Sequence, residues 1–166
     1  MPLTDMQLFF TGSFDRALAH TSTPLELFRH TLHSIDEALA ERFAKGVGVA
    51  DLVRQRVWFV DELLVRAWHR FIPAGQAGIA LAAVGGYGRH ELHPNSDIDL
   101  LILLAPGTQA AHQASLEKFL AFLWDIGLEV GHSVRTVQDC VEEAGRDVGV
   151  ATNLMESRLL AGDGML

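Results

Sequence analysis

Apolar residues recur along this chain at two different periods, and the change from one to the other divides it. In residues 24–45, Leu25, Phe28, Leu32, Ile35, Leu39 and Phe43 form one helical stripe. Thr23, Pro24 and Glu26 supply the start of that helix: a cap, a proline at the first helical position, and an acid three residues after the cap. Gly46 and Gly48 separate it from a second helical pattern at 51–71, built on Leu52, Val57, Val60, Leu64, Ala67, Trp68 and Phe71. After Pro73, Gly75 and Gly78 the helical period is lost. Residues 79–84 are apolar throughout and stop at Gly85-Gly86, as a buried strand does where the backbone must turn tightly. A short polar helix is expected next, then a turn at Pro94-Asn95-Ser96, then a strand over 97–104 that opens acid, apolar, acid, apolar. Thr108 caps a helix to about residue 126, with Phe119, Leu120, Leu123 and Trp124 inside, and Gly127 ends it. A third strand covers 128–135, and Glu129, Gly131, Ser133 and Arg135 share one of its faces. Thr136 opens a short helix; the last helix is expected over 147–160, closed by Gly162, with Leu154, Arg158 and Leu159 against the sheet. Residues 1–22 show no dependable period, although Leu8, Phe9 and Phe10 are apolar enough to pack.

Chemistry concentrates in the middle. Strand alternation turns Asp97 and Asp99 the same way, roughly 6.5 to 7 Å apart along the backbone, so both can reach one small cation. Paired carboxylates repel each other and are costly to desolvate unless a cation or donors neutralise them. Oxygen ligands point to magnesium or manganese, which complete their shells with water and phosphates. Gly85 and Gly86 leave main-chain N–H groups open to a phosphate, and Ser96 adds a hydroxyl beside the acids. A lone D-x-D also occurs as a solvated strand end. Here ten residues separate Gly86 from Asp97 and a strand lies on either side, which is a far more specific arrangement.

Composition narrows the classes. With 166 residues, 49% hydrophobic and 20% charged, the chain suits one globular domain. Its 21 acids against 13 bases, net −8, argue against a broad nucleic-acid surface, although a local arginine cluster could still meet phosphates. Arg54, Arg56, Arg66 and Arg70 on the second helix are read as solvated surface, as are His30 and His33 on the first, and Trp58 and Trp68 as packing. A single cysteine, Cys140, leaves no internal disulfide and no thiolate cage, and a reducing cytoplasm is the expected setting. No membrane span or secretory signal is visible. Rival motifs fail on spacing: Glu91 stands where a dinucleotide fingerprint needs its third glycine, no GK[ST] loop occurs, and His90 and His93 lack the spacing of a zinc-protease helix.

Gly85-Gly86, Arg89, Ser96, Asp97 and Asp99 resemble the signature of the DNA polymerase β-like nucleotidyltransferases. More narrowly, VGGYGRHELHPNSDIDLLIL, LEVGHSVRT and ATNLMESRLLAGD are similar to the N-terminal transferase domain of the bifunctional PII uridylyltransferase/uridylyl-removing enzymes. The resemblance implies an α/β (α+β) fold: a polymerase β-like core at 79–166, a small mixed sheet with flanking helices, preceded by an N-terminal helical region at 1–78. It implies magnesium or manganese on Asp97 and Asp99, and UTP phosphates cradled by Gly85, Gly86 and Ser96 and countered by Arg89. The acceptor it implies is a tyrosine hydroxyl of the PII signal protein. Relatives place a third carboxylate on the strand that follows, where Glu129 is the only acid; in some it would fall nearer Gly131, so a two-carboxylate site is the other reading. In the family a His-Asp hydrolase domain and ligand-sensing domains come next. The eight histidines here include no adjacent His-Asp, so UMP removal is expected to be absent, and glutamine sensing is expected to be absent because no second domain is left over to bind it. Two alternatives stay open on the residues alone: a nucleotide-binding sensor or docking module without turnover, and transfer to a small hydroxylated molecule such as an aminoglycoside.

Overall fold

A computed structural model describes residues 10–166. Helices come first. A π-helical turn, Phe10–Phe14, runs into α1, Asp15–His20; α2 spans Pro24–Ala44 and α3 spans Val49–Phe71. Phe10 is fully buried, its ring edge-on to Trp58 at 5.5 Å, so it anchors the N-terminal turn to α3; Leu8 and Phe9 lie outside the described residues. Phe28, Leu32 and Ile35 of α2 are buried as the stripe requires, and Trp68 of α3 meets Phe119 edge-to-face at 5.3 Å. Phe43, in the last turn of α2, departs from expectation at 61% exposed, lining an open pocket with Val49 and Leu52 of α3.

Then come β1, Ile79–Ala83; a single helical turn α4, Gly85–Gly88; β2, Ile98–Leu104; α5, Gln109–Asp125; β3, Val130–Thr136; α6, Val137–Arg146; α7, Val148–Met155; and β4, Arg158–Gly162. The sheet order is β3-β2-β1-β4, with β1 antiparallel to both β2 and β4, and β2 parallel to β3. A parallel neighbour needs a long crossover, and α5 supplies it. This is the small mixed sheet with flanking helices expected of a polymerase β-like core.

Alternation along the central strands sorts the two faces. Ile79, Leu81 and Ala83 of β1 and Ile98, Leu100, Ile102 and Leu104 of β2 join the main core with α2, α3 and α5. Ala82, Val84 and Leu101 turn the other way, where Cys140 of α6 and Leu154 of α7 cover them together with Leu103. Asp99 shares its period with Leu101 and Leu103, so it belongs to the second, thinly covered face.

Three expectations need correcting. The last helix stops at Met155, and residues 158–162 form an edge strand pairing with β1 across a register shift between Leu81 and Ala82. The polar helix expected after the glycines is instead one turn made by the glycines themselves. Arg89 ends that turn, and His90 and Asn95 take left-handed conformations at φ 65° and 63°. The arginines of α3 are not all solvated either. Arg66 donates to Asp15 of α1 at 2.6 Å and 2.9 Å, and Arg56 pairs with Asp36 of α2, so both side chains bolt helices together.

Candidate active site

The glycine turn is held from both sides. Tyr87, buried between its glycines, donates its hydroxyl to Asp61 of α3 at 2.5 Å. Arg158, the first residue of β4, donates to the same carboxylate at 2.7 Å and 3.0 Å and lies over the Tyr87 ring, 5.4 Å from its centroid. Burial first, and then the Asp61 charge, push the Tyr87 phenol well above its ordinary value, so it stays a donor. Removing one partner of such a pair strands the others. Arg158→Ala is expected to lower stability by about 2 kcal/mol, measured as the shift in denaturant midpoint at constant slope; an unchanged midpoint would show that the pair does not hold the turn.

Arg89, at the end of the turn, forms ion pairs with Glu91 at 2.9 Å and with Glu156 at the end of α7. Backbone meets backbone here as well. A Cβ on Gly88 would lie 2.1 Å from the Glu156 carbonyl oxygen, so only glycine lets the turn and α7 touch. Residues three apart on a helix share a face, and Asn153, one turn before Glu156, accordingly faces the turn. Its Oδ1 lies 3.7 Å from the position a Cβ would take on Gly85.

Asp99 stands between two glycines. Its Oδ2 is 3.3 Å from the Cβ position of Gly85, which has φ 58°, and its Oδ1 is 2.8 Å from the Cβ position of Gly131. The parallel pairing explains the second contact, since Asp99 is level with Gly131 across β2 and β3. The Asp99 main chain is tied to the first strand as well, its carbonyl accepting from Val84 N–H at 3.0 Å. Partial desolvation first, and the Asp97 charge second, raise the Asp99 carboxyl above the usual carboxylate range. Asp97 immediately precedes β2 and is exposed, close enough for its charge to be felt. No basic side chain pairs with either acid among the described residues.

The other expected residues fall around this pair. Ser96 directly precedes Asp97, its N–H donating to the His93 carbonyl at 3.1 Å. Gly86 keeps open space: a Cβ there would meet only the Glu91 carbonyl at 3.4 Å and an Arg89 nitrogen at 3.7 Å. Glu129 precedes β3, its carbonyl accepting from Ile98 N–H at 2.9 Å, and it lines a pocket of about 530 Å³ with Asp97, Trp124 and Gly131. It does not complete a three-carboxylate set. Among the described residues no three His, Cys, Asp or Glu side chains gather so as to hold a metal ion, and the position level with Asp99 is a glycine. Trp124, expected inside, is instead 51% exposed at this pocket because it sits at the end of α5, beyond the cover of the sheet.

Residues 66–160 match the family described as nucleotidyltransferase domain. The chain belongs to that family. Over 162 residues, 98% of its length, it is 50% identical to a bifunctional uridylyltransferase/uridylyl-removing enzyme of Pseudomonas putida, 51% to that of Pseudomonas fluorescens and 52% to that of Ectopseudomonas mendocina. The matched stretch is 18% of each relative, so the chain spans about a fifth of the length of the curated relatives it matches. In this nucleotidyltransferase domain the family match begins inside α3 and ends inside β4. It therefore takes in the turn, the acids and the Arg158 clamp, whereas Asp61 lies five residues before the match. Tyr87, Asp61, Gly88 and Asn153 were not singled out from sequence; the ATNLMES run was the only signal pointing at Asn153. No helix among the described residues is long and apolar enough to cross a membrane.

Proposed function

We propose that this chain transfers UMP from UTP to a tyrosine hydroxyl of the PII signal protein, releasing pyrophosphate, in a magnesium- or manganese-dependent reaction. One observation carries the reading: the Asp99 carboxylate stands against the glycine turn, Oδ2 3.3 Å from the Gly85 Cβ position, with Asp97 beside it and no cationic partner for either acid among the described residues. Unpaired, mutually repelling carboxylates beside an open glycine turn suit a divalent cation that brings phosphates with it. Asp97 and Asp99 would hold that ion, which supplies neutralisation of the charge developing on the phosphates.

The chain's own groups do the rest. The turn offers main-chain N–H groups and bare glycine to the β- and γ-phosphates, and Ser96 adds a hydroxyl. Arg89 keeps positive charge at the edge of the turn, its position fixed by Glu91 and Glu156. Asn153 contributes a carboxamide from α7. As the acceptor oxygen bonds to the α-phosphorus, the bond to the β-phosphate oxygen breaks; pyrophosphate leaves and the hydroxyl proton passes to water. UTP is supported by the names of the relatives, and PII by the resemblance of the three motifs.

Purified chain with UTP, magnesium and PII should release pyrophosphate, and release should stop when PII is withheld. That Glu129 does not join the pair in a three-ligand cluster among the described residues supports a second reading, a nucleotide sensor, which predicts metal-dependent binding with no pyrophosphate even when PII is present. A further expectation follows from the space at Gly86. Gly86→Val should fold, since its Cβ meets nothing closer than 3.4 Å, yet bind UTP at least about tenfold more weakly. Unchanged affinity in a folded Gly86→Val protein would remove the turn from the phosphate site.

A further inference from the structure

The two oxygens of Asp99 face in different directions: Oδ2 towards the glycine turn, Oδ1 towards Gly131, which itself lines the pocket that Trp124 walls. In nucleotidyl transfer the attacking oxygen and the departing pyrophosphate lie roughly in line on opposite sides of the phosphorus. If the β- and γ-phosphates rest on the turn, the acceptor must approach from the Gly131 side. That side is open. The pocket there, about 530 Å³, is bounded by Asp97, Gly127, Glu129, Val130 and Gly131, and a Cβ on Gly127 would meet nothing within 4 Å.

Trp124 is the feature that needs explaining. Its neighbours on α5, Phe119, Phe122 and Leu123, are buried, whereas the Trp124 ring is 51% exposed. It is nonetheless held in place, its indole N–H donating to the Val130 carbonyl at 3.4 Å and its ring centroid 5.9 Å from that of His132. An oriented, half-exposed indole beside reactive carboxylates is a ready platform for another flat ring. The acids of the wall, Asp97 and Glu129, disfavour an acidic visitor and suit a neutral hydroxyl.

We propose that the Trp124 pocket is the acceptor site, and that its occupant is an aromatic hydroxyl side chain, a tyrosine presented by the partner protein and stacked on the indole. This rests on the transfer reaction proposed above. Kinetics on wild type, Trp124→Ala and Trp124→Phe test it. Trp124→Ala should raise the KM for PII at least about tenfold and leave the Kd for UTP within about twofold, and Trp124→Phe should retain most of the wild-type KM. Weakened UTP binding with an unchanged KM for PII would make Trp124 a nucleobase platform and overturn the proposal, as would no change in either. Saturation transfer from the protein to N-acetyl-tyrosinamide, with UTP and magnesium present, separates this inference from its premise. If wild type fails to modify PII, the proposed reaction falls; a tyrosinamide signal in wild type that is lost in Trp124→Ala still supports the pocket. An equal signal in both proteins, or none in wild type, overturns it.

Discussion

Asp99→Asn is expected to abolish transfer while leaving the fold as stable as before or more so. The asparagine keeps the shape of the side chain between Gly85 and Gly131 but removes the charge that would hold the cation. Losing one of two metal carboxylates should cost about a thousandfold in kcat/KM, equivalent to about 4 kcal/mol of transition-state stabilisation. The stability side has a definite sign. Desolvation and Asp97 raise the Asp99 carboxyl in the folded protein, so what this group contributes to stability is present at acid pH and lost as pH rises through its folded-state pKa. A neutral asparagine escapes that loss. Melting curves of wild type and Asp99→Asn should therefore nearly coincide only below the unfolded carboxylate's pKa and separate at neutral pH, the variant melting higher; a variant that melts lower at neutral pH would show that the carboxylate is paired after all.

Gly88→Ala should be the most damaging single methyl in the molecule's active region. The added Cβ would lie 2.1 Å from the Glu156 carbonyl oxygen and 3.1 Å from that of Ala83, both of them backbone atoms that cannot swing aside. Either the turn or the end of α7 must move. Overpacking against main chain costs about 3 kcal/mol or more, readable as a fall in denaturant midpoint. Because Arg89, Glu156 and Asn153 are placed by the same contact, affinity for UTP should fall with it. A Gly88→Ala protein with native midpoint and affinity would mean that the turn does not rest on α7.

Both effects depend on contacts of very different range, and that difference decided what the chain disclosed before folding. The strand ending at Gly85 and the acid pair at the head of β2 were legible because each is local: an apolar run, a glycine stop, an alternation of two. The helix start at Thr136 was legible for the same reason, and in the fold Thr136 and Asp139 cap it with reciprocal bonds at 3.1 Å and 2.8 Å. Strand β4 was not. Leu154, Arg158 and Leu159 continue a helical spacing, and only the free edge of β1, a partner distant in sequence, draws residues 158–162 into the sheet. Gly88, Tyr87 and Asp61 were equally silent. Nothing beside Gly88 in the sequence shows that a carbonyl 68 positions later will press on it, and Asp61 looked like one more acid on the polar side of a helix. Trp124 was read inward because its neighbours are core residues, whereas α5 ends before the sheet can cover it. Glu129 lines one pocket with Asp97, and the position level with Asp99 is Gly131.

Transfer by this chain requires that Asp97 and Asp99 bind a divalent cation together with a nucleoside triphosphate at the glycine turn. Calorimetric titration of UTP into the purified chain, with magnesium and then with chelator, addresses it most directly. Saturable binding with magnesium that disappears with chelator is the predicted result. Binding of equal strength in both conditions, or no binding in either, would contradict it.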